Sequence, residues 1–152
     1  TKGLPLFQSI QNAYNLANRT FETGLAEIAM REDTGLIAYS ALAQGFLTGK
    51  YLNGARPANT RTVLFDRAQR YQKPGADAAF AAYVALAGEF GLDPAQMAIA
   101  FALSRPFVTS VLIGATTMGQ LETDIGAFDI KLSSEIEERI DAIHQIHQNP
   151  CP

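Results

Sequence analysis

The chain has 152 residues, 47% of them hydrophobic and 18% charged, which excludes disordered and collagen-like classes and gives one domain with a core. Its net charge is -3 and its 12 basic residues are dispersed, leaving no electrostatic footprint for nucleic acid or anionic lipid. The single cysteine, Cys151, has no mate for a disulfide, and no apolar run approaches the roughly 18 residues of a membrane span, so a reducing, cytoplasmic setting is expected.

In chain order, the opening Thr1-Lys2-Gly3-Leu4-Pro5 has neither an initiator methionine nor a signal pattern and reads as a chain cut at its beginning. Leu6-Phe7-Gln8-Ser9-Ile10-Gln11 predicts a short strand, and Phe21, Leu25, Ile28 and Ala29 follow at helical spacing. Gly35 closes that helical region. Leu36-Ile37-Ala38-Tyr39-Ser40 then predicts a strand of the kind buried on both faces of a parallel sheet. Residues 41–77 show no sustained period and read as an insertion, a class of segment that is usually functional or mobile.

Two helices are predicted next. The first puts Phe80, Val84 and Ala87 on one face and stops near Gly91; the second opens with Asp93 as N-cap and Pro94 at its first position, and buries Ala95, Ala98, Ile99, Ala102 and Leu103. Val108-Thr109-Ser110-Val111-Leu112-Ile113 predicts a third strand, ending in Gly114-Ala115-Thr116-Thr117 and a short helix around residues 120–125. A last helix starts at Ser133 or Ser134, the latter in a capping box with Glu137, with Ile136, Ile140 and Ile143 on its apolar face. Repeated strand-helix units predict an α/β fold with a parallel sheet. Three units do not close an eight-stranded barrel, which takes about 250 residues, so the residues fit either a small open sheet or a piece of something larger.

Ligands of α/β proteins bind at the carboxyl ends of the strands, where Gln11, Tyr39-Ser40 and Gly114-Ala115-Thr116-Thr117 gather polar groups. Strand ends also turn polar simply on leaving a core, and spacing alone leaves both readings open. Ser40-Ala41-Leu42-Ala43-Gln44-Gly45-Phe46-Leu47-Thr48-Gly49-Lys50 is a turn of small residues where backbone N–H groups can converge on an anion, with Lys50 as the matching charge. It is no nucleoside-triphosphate loop, because three residues separate Gly45 and Gly49 and Tyr51 replaces the Ser or Thr. His144 and His147 read as surface histidines, and Phe65, Tyr71 and Phe107 as packing or loop contacts.

Gln11-Asn12-Ala13-Tyr14-Asn15-Leu16-Ala17-Asn18-Arg19, then Ala38-Tyr39-Ser40-Ala41-Leu42 with Gly45-Phe46-Leu47-Thr48-Gly49-Lys50-Tyr51, then Gly114-Ala115-Thr116-Thr117 with Gln120-Leu121, resemble aldo-keto reductases in the same order. The likeness is closest to the bacterial branch akin to potassium-channel beta subunits, and it covers nearly the whole chain. It implies the carboxyl-terminal half of a TIM (β/α)8 barrel, the last three strand-helix units with flanking helices and an extra C-terminal helix, forming one domain over residues 1–152. It also implies NADP(H) as cofactor and an aldehyde or ketone as substrate.

Residue by residue, the resemblance implies that Gln11 hydrogen-bonds the nicotinamide carboxamide and Tyr39 stacks on its ring. Ser40, Leu42, Gln44 and Lys50 match the pyrophosphate-wrapping segment, Arg61 a basic residue of the loop that folds over the cofactor, and Gly114, Thr116 and Gln120 the 2′-phosphate ribose end. Thr123 and Asp124 stand where close relatives carry Glu and Asn for the adenine; an Asp accepts from the amino group but cannot donate to a ring nitrogen. The family's catalytic Asp, Tyr, Lys and His come from the first half of the barrel, and Tyr14, Tyr51 and Tyr83 do not match its catalytic tyrosine. The resemblance thus implies an oxidoreductase represented by its cofactor-binding half, inactive alone, self-associated or paired with an amino-terminal half-barrel. A non-catalytic nicotinamide-binding module and a truncated gene product are the alternatives.

Overall fold

A computed structural model describes residues 3, 5–65 and 69–152. The chain runs through β1 (Ser9–Ala13), α1 (Leu25–Arg31), β2 (Gly35–Tyr39), α2 (Arg61–Leu64), α3 (Ala76–Glu89), α4 (Pro94–Leu103), β3 (Val108–Val111), α5 (Met118–Gly126) and α6 (Ser134–Ile146). Among the described residues the strands form one parallel sheet in the order β1-β2-β3. Parallel neighbours need crossovers, supplied by α1 and by the long excursion through α2, α3 and α4. The fold is α/β, as the alternating pattern predicts.

Pairing moves the first strand. Its register runs from Ser9 opposite Gly35 to Ala13 opposite Tyr39, so the strand starts three residues later than the apolar run suggests. Leu6 and Phe7 lie outside it and are 81% and 88% exposed. Gln11 accordingly sits at mid-strand instead of at the end.

The expectation that β2 is buried on both faces holds for one face. Leu36 and Ala38 are fully buried, while Gly35, Ile37 and Tyr39 on the opposite face are half-buried. Gly35 begins this strand rather than ending the preceding helix: a Cβ there would meet Thr109 Oγ1 at 1.7 Å, so β3 approaches β2 closely at a site open only to glycine. The register between β2 and β3 shifts between Leu36 and Ile37, a local bulge next to that approach.

Phe21, Leu25 and Ile28 do not share one buried stripe. Phe21 belongs to a separate 3-10 turn, Thr20–Glu22, and Gly24 at φ 105° resets the phase before α1 begins. The core therefore takes Ala26 and Ala29, whereas Leu25 and Ile28 face outward. Together with Leu6, Phe7, Ile10 and Phe21 they line an apolar groove along the free edge of β1. At the other end of the sheet, Met118 and Ile125 of α5, and Phe128 just after it, are exposed as well.

Residues 41–77 are more built than an unstructured insertion. They fold as short 3-10 segments at Ala43–Thr48, Leu52–Gly54 and Gln69–Tyr71 around α2, and Phe46, Leu47, Tyr51 and Tyr71 are buried. Phe46 packs on Phe80 of α3 at 5.2 Å between ring centres and on Tyr51 at 4.7 Å. Of the other aromatic residues, Phe107 is buried and Phe65 exposed.

The predicted caps divide. Asp93 accepts from the N–H groups of Ala95 and Gln96 with Pro94 following, so α4 starts as expected. For α6 the cap is Ser133, which accepts from Ile136 N–H, and Glu137 turns away from the helix start to pair with Arg105. The charged partner outcompetes the capping box at Ser134. His144 is half-buried, its Nδ1 enclosed without a hydrogen-bond partner, and burial, then Arg19, hold its pKa below the ordinary value. It is not a plain surface histidine.

Arg19 ties these layers together. Its guanidinium donates to Glu22 at 2.8 Å and to Asp141 of α6 at 2.7 Å, and lies 5.1 Å from the centre of the Phe101 ring on α4. Its N–H donates to Asn149 Oδ1 at 2.6 Å, and two residues later Cys151 N–H reaches back to Ala17 O, so the terminal segment is fastened to the loop after β1. Cys151 is fully buried there, and burial pushes its thiol up to about 11. Replacing Arg19 by Met leaves Glu22 and Asp141 without their cation. The loss expected in urea unfolding is about 2–3 kcal/mol, short of a wholly buried pair because Asp141 is partly in water.

Candidate functional site

Parallel strands place their carboxyl ends on one side, and Tyr39 and Ser40 lie there at the end of β2, with Gln11 set back at the middle of β1. Gln11 is opposite Ile37 on the neighbouring strand, and Ile37 and Tyr39 share a face by the two-residue alternation. Gln11 and Tyr39 therefore project from the same open face, one strand across and two residues along from each other, about 8 Å apart between Cα atoms. Gln11 is exposed and Tyr39 half-buried. An amide and a phenol ring side by side offer a donor–acceptor pair next to a flat apolar surface.

The turn beyond β2 is held from below. Asn15, fully buried, donates its Nδ2 to Ser40 O at 3.0 Å and to Tyr71 Oη at 3.3 Å, and its Oδ1 accepts from Ala17 N–H. One amide thus links the segment after β1 to both ends of the 41–77 excursion. Within the turn, Ser40, Ala43 and Gln44 all have left-handed backbones, with φ of 58°, 47° and 56°.

This turn is less open to an anion than its glycines suggest. The N–H groups of Ala43, Gly45, Leu47 and Gly49 donate to carbonyls of the turn itself. The Ser40 hydroxyl is likewise engaged, with Tyr71, and the ammonium of Lys50 is the exposed charge of the turn. That ammonium lies 5.1 Å from the Tyr51 ring centre and fills the space over Gly45, where a Cβ would meet it at 2.8 Å. Gln44 Oε1 is buried with no hydrogen-bond partner, an acceptor left open beside them. The side chain of Arg61 lies outside the described residues.

After β3, Leu112 N–H still pairs with Ala38 O at 2.8 Å, so Gly114 leaves the sheet beside the end of β2. Thr117 caps α5 by accepting from Gln120 N–H. Gln120 Oε1 in turn accepts from the N–H and the hydroxyl of Thr116 at 2.9 and 3.0 Å. Both side chains are exposed, and the Nε2 of Gln120 is the group they leave to donate outward. Asp124 is set apart: it is buried on α5, and burial, followed by the negative charge of Asp93, raises its carboxyl pKa.

The tyrosines divide by burial. Tyr14 is wholly buried and its hydroxyl donates to Glu22 Oε1; burial first, then that carboxylate, push its pKa far up. Tyr83 is also buried, its hydroxyl without a partner and its pKa raised by burial. Neither hydroxyl is a proton donor at the strand ends.

One neighbour of the site has no sequence signal. Arg70, in the turn Gln69–Tyr71, donates from Nη1 to Tyr39 Oη at 3.4 Å. It belongs to a stretch without period, and only the return of the chain brings it to β2.

Because Asn15 holds both Ser40 and Tyr71, Asn15→Ala should loosen the whole excursion while the sheet stays folded. The expected result is faster proteolytic cleavage within residues 41–77 and a stability loss of about 1–3 kcal/mol for the carbonyl and hydroxyl left unpaired.

Comparison with known proteins gives a consistent set of relatives. The Aldo/keto reductase family model matches residues 1–145. The chain is 52% identical over 149 residues to Protein tas of Escherichia coli (strain K12), covering 98% of this chain and 43% of that protein. It is 37% identical over 141 residues to L-glyceraldehyde 3-phosphate reductase of the same strain, covering 86% and 40%. Over 141 residues it is 34% identical to a probable voltage-gated potassium channel subunit beta of Oryza sativa subsp. japonica, covering 89% and 43%. Among solved structures, the glycerol dehydrogenase AKR11B4 from Gluconobacter oxydans superposes with a TM-score of 0.73 at 28% identity, over 93% of this chain and 43% of that one. The chain spans less than half the length of these relatives.

Proposed function

This chain belongs to the aldo/keto reductase family, and from that premise we propose that it is the cofactor-binding, carboxyl-terminal half of a (β/α)8 barrel that reduces aldehydes or ketones with NADPH. The observation that carries the reading is that Gln11 and Tyr39 share the open face of a parallel sheet whose other face is packed, with Ser40 following Tyr39 at the end of β2. Two features support a half-barrel: the apolar groove along the free edge of β1, and the uncovered Met118, Ile125 and Phe128 beyond β3. A closed barrel has no free edge, and further strand-helix units on both flanks would cover these surfaces.

The residues present fit a nicotinamide dinucleotide. Gln11 would bind the carboxamide and Tyr39 would give the ring its stacking face. Ser40, Leu42 and Lys50 would hold the pyrophosphate, and the open acceptor of Gln44 suits a hydroxyl or amine of the ligand. Gly114, Thr116 and Gln120 would take the ribose-phosphate end, with Arg61 on the covering loop, while Asp124, buried on α5, would be screened from the adenine. Bound NADPH supplies the hydride. The proton for the carbonyl oxygen would come from the other half of the barrel, since the Tyr14 and Tyr83 hydroxyls are buried away from the mouth.

The other half-barrel, on the same polypeptide or a separate one, is the partner this reading requires. A second reading, a nicotinamide-binding module without turnover, is favoured by the likeness to a channel beta subunit. Titrating the complete barrel with NADPH, with and without simple aldehydes, separates the two: oxidation of NADPH supports the reductase, and binding without oxidation supports the module.

Two outcomes follow for the chain and its site. The isolated chain is expected to sediment as a self-associated species and to leave NADPH unoxidised with any aldehyde, because the acid that stabilises the developing alkoxide would come from the other half of the barrel; a monomer that turns over substrate would overturn the half-barrel reading. In the complete barrel, Lys50→Met is expected to weaken NADPH binding by about 1.5–3 kcal/mol, the range for a charged hydrogen bond. An unchanged dissociation constant removes Lys50 from the phosphate site.

A further inference from the structure

Tyr39 ends β2 with its ring half in water, and a ring so placed is free to change rotamer unless something holds its tip. Arg70 provides that hold: its Nη1 donates to Tyr39 Oη at 3.4 Å across 31 positions of sequence. A long exposed side chain would ordinarily give such a contact little meaning, because ordering it costs entropy. Here the backbone next to it is fixed. Tyr71, the following residue, is wholly buried, and its hydroxyl accepts from Asn15 Nδ2 at 3.3 Å.

Charge points the same way. The ion pairs of the described residues engage Arg19, Arg31, Arg105 and Arg139 with carboxylates, whereas Arg70 has no carboxylate partner among them. Its recorded hydrogen bond goes to the phenol oxygen. Tyr39 and Arg70 therefore close the excursion over the strand ends at the ring itself, while Asn15 and Tyr71 close it one layer deeper.

We infer that Arg70 is a positioning residue for cofactor retention, holding the Tyr39 ring in the orientation in which the nicotinamide stacks on it. The inference rests on the nicotinamide-binding reading above. A stacking face already set before binding spares the ligand the cost of ordering it, and a gain of that kind appears chiefly in the dissociation rate. Arg70 acts through Tyr39, so the effect of removing it depends on the hydroxyl of Tyr39 being there.

The test is a double-mutant cycle on NADPH release, followed by stopped-flow displacement in the complete barrel. Arg70→Met and Tyr39→Phe are each expected to speed release about threefold to tenfold, the effect of losing one modest hydrogen bond, and the double variant to release no faster than either single one. Arg70→Lys, which keeps a donor, should recover part of the loss. Thermal unfolding midpoints matching the parent protein would confirm that the variants differ in release and not in folding. Release unchanged in Arg70→Met overturns the inference. So does an effect of Arg70→Met that persists in the Tyr39→Phe background, because Arg70 would then touch the cofactor phosphates directly. Failure of the parent barrel to bind NADPH would sink the underlying reading, whereas binding without an Arg70 effect sinks this inference alone.

Discussion

The Arg19 guanidinium lies where the loop after β1, α4, α6 and the terminal segment converge. It is a cation taken largely out of water, and such a group is tolerated only when its donors are satisfied. Glu22 takes two of them and Asp141 a third, while the Phe101 ring covers the guanidinium carbon. The arrangement makes residues 14–19 a fixed platform instead of a loop. Tyr14 is pressed between Phe101 and Phe107 with its hydroxyl on the same Glu22, and Asn15 and Asn18 exchange backbone hydrogen bonds. From that platform the amide of Asn15 reaches Ser40 and Tyr71. The geometry of the candidate site is thus inherited from an ion-pair network on the packed side of the sheet, through one buried asparagine.

That dependence has a polar cost that is not fully met. Tyr83 Oη and His144 Nδ1 are both buried without partners. Arg19 and Asp141 bear electrostatically on both groups, which places these open groups beside the network. Charged hydrogen bonds at Arg19 are strong enough to hold the region together despite them. The sheet shows the converse economy: its packed face is mainly apolar, with Ile10, Leu36 and Ala38, and its open face carries Gln11 and Tyr39, groups that lose little by contact with water.

What could be read from the sequence followed from physical rules that act locally. Asp93 before Pro94 is a helix start whatever surrounds it, and the alternation of apolar segments was enough for a parallel α/β fold. The order of the three motifs was enough for the family. Reading failed where tertiary competition decides. Glu137 leaves its helix cap because Arg105 is near, Gly35 is a strand residue because Thr109 crosses over it, and Leu25 lies outside the core because Gly24 breaks the helical phase. The 41–77 excursion is built from 3-10 turns that have no 3.6-residue period to detect, so its buried aromatics looked like loop residues. Among the candidate site residues, Tyr39 and Ser40 were legible by position at a strand end, whereas Gln11 falls at mid-strand because the pairing of β1 starts at Ser9. Arg70 was not, because its relation to Tyr39 exists only after the chain has returned.

The backbone of the turn after β2 shows how tightly that return is specified. Ser40, Ala43 and Gln44 are non-glycine residues in left-handed conformations within five positions, each costing about 1–2 kcal/mol relative to the right-handed region. Such strain persists only where the surroundings over-determine it. Here the surroundings are identifiable: Asn15 holds the Ser40 carbonyl, Ala43 and Gly45 close internal hydrogen bonds, and Phe46 is wedged against Phe80 and Tyr51. The result is a turn whose conformation is chosen by contacts outside it, with the Ser40 hydroxyl held against Tyr71 and the Gln44 oxygen buried without a partner. Relaxing the turn would recover the strain but give up those contacts, so the strain is the cost of the packing that fixes the turn.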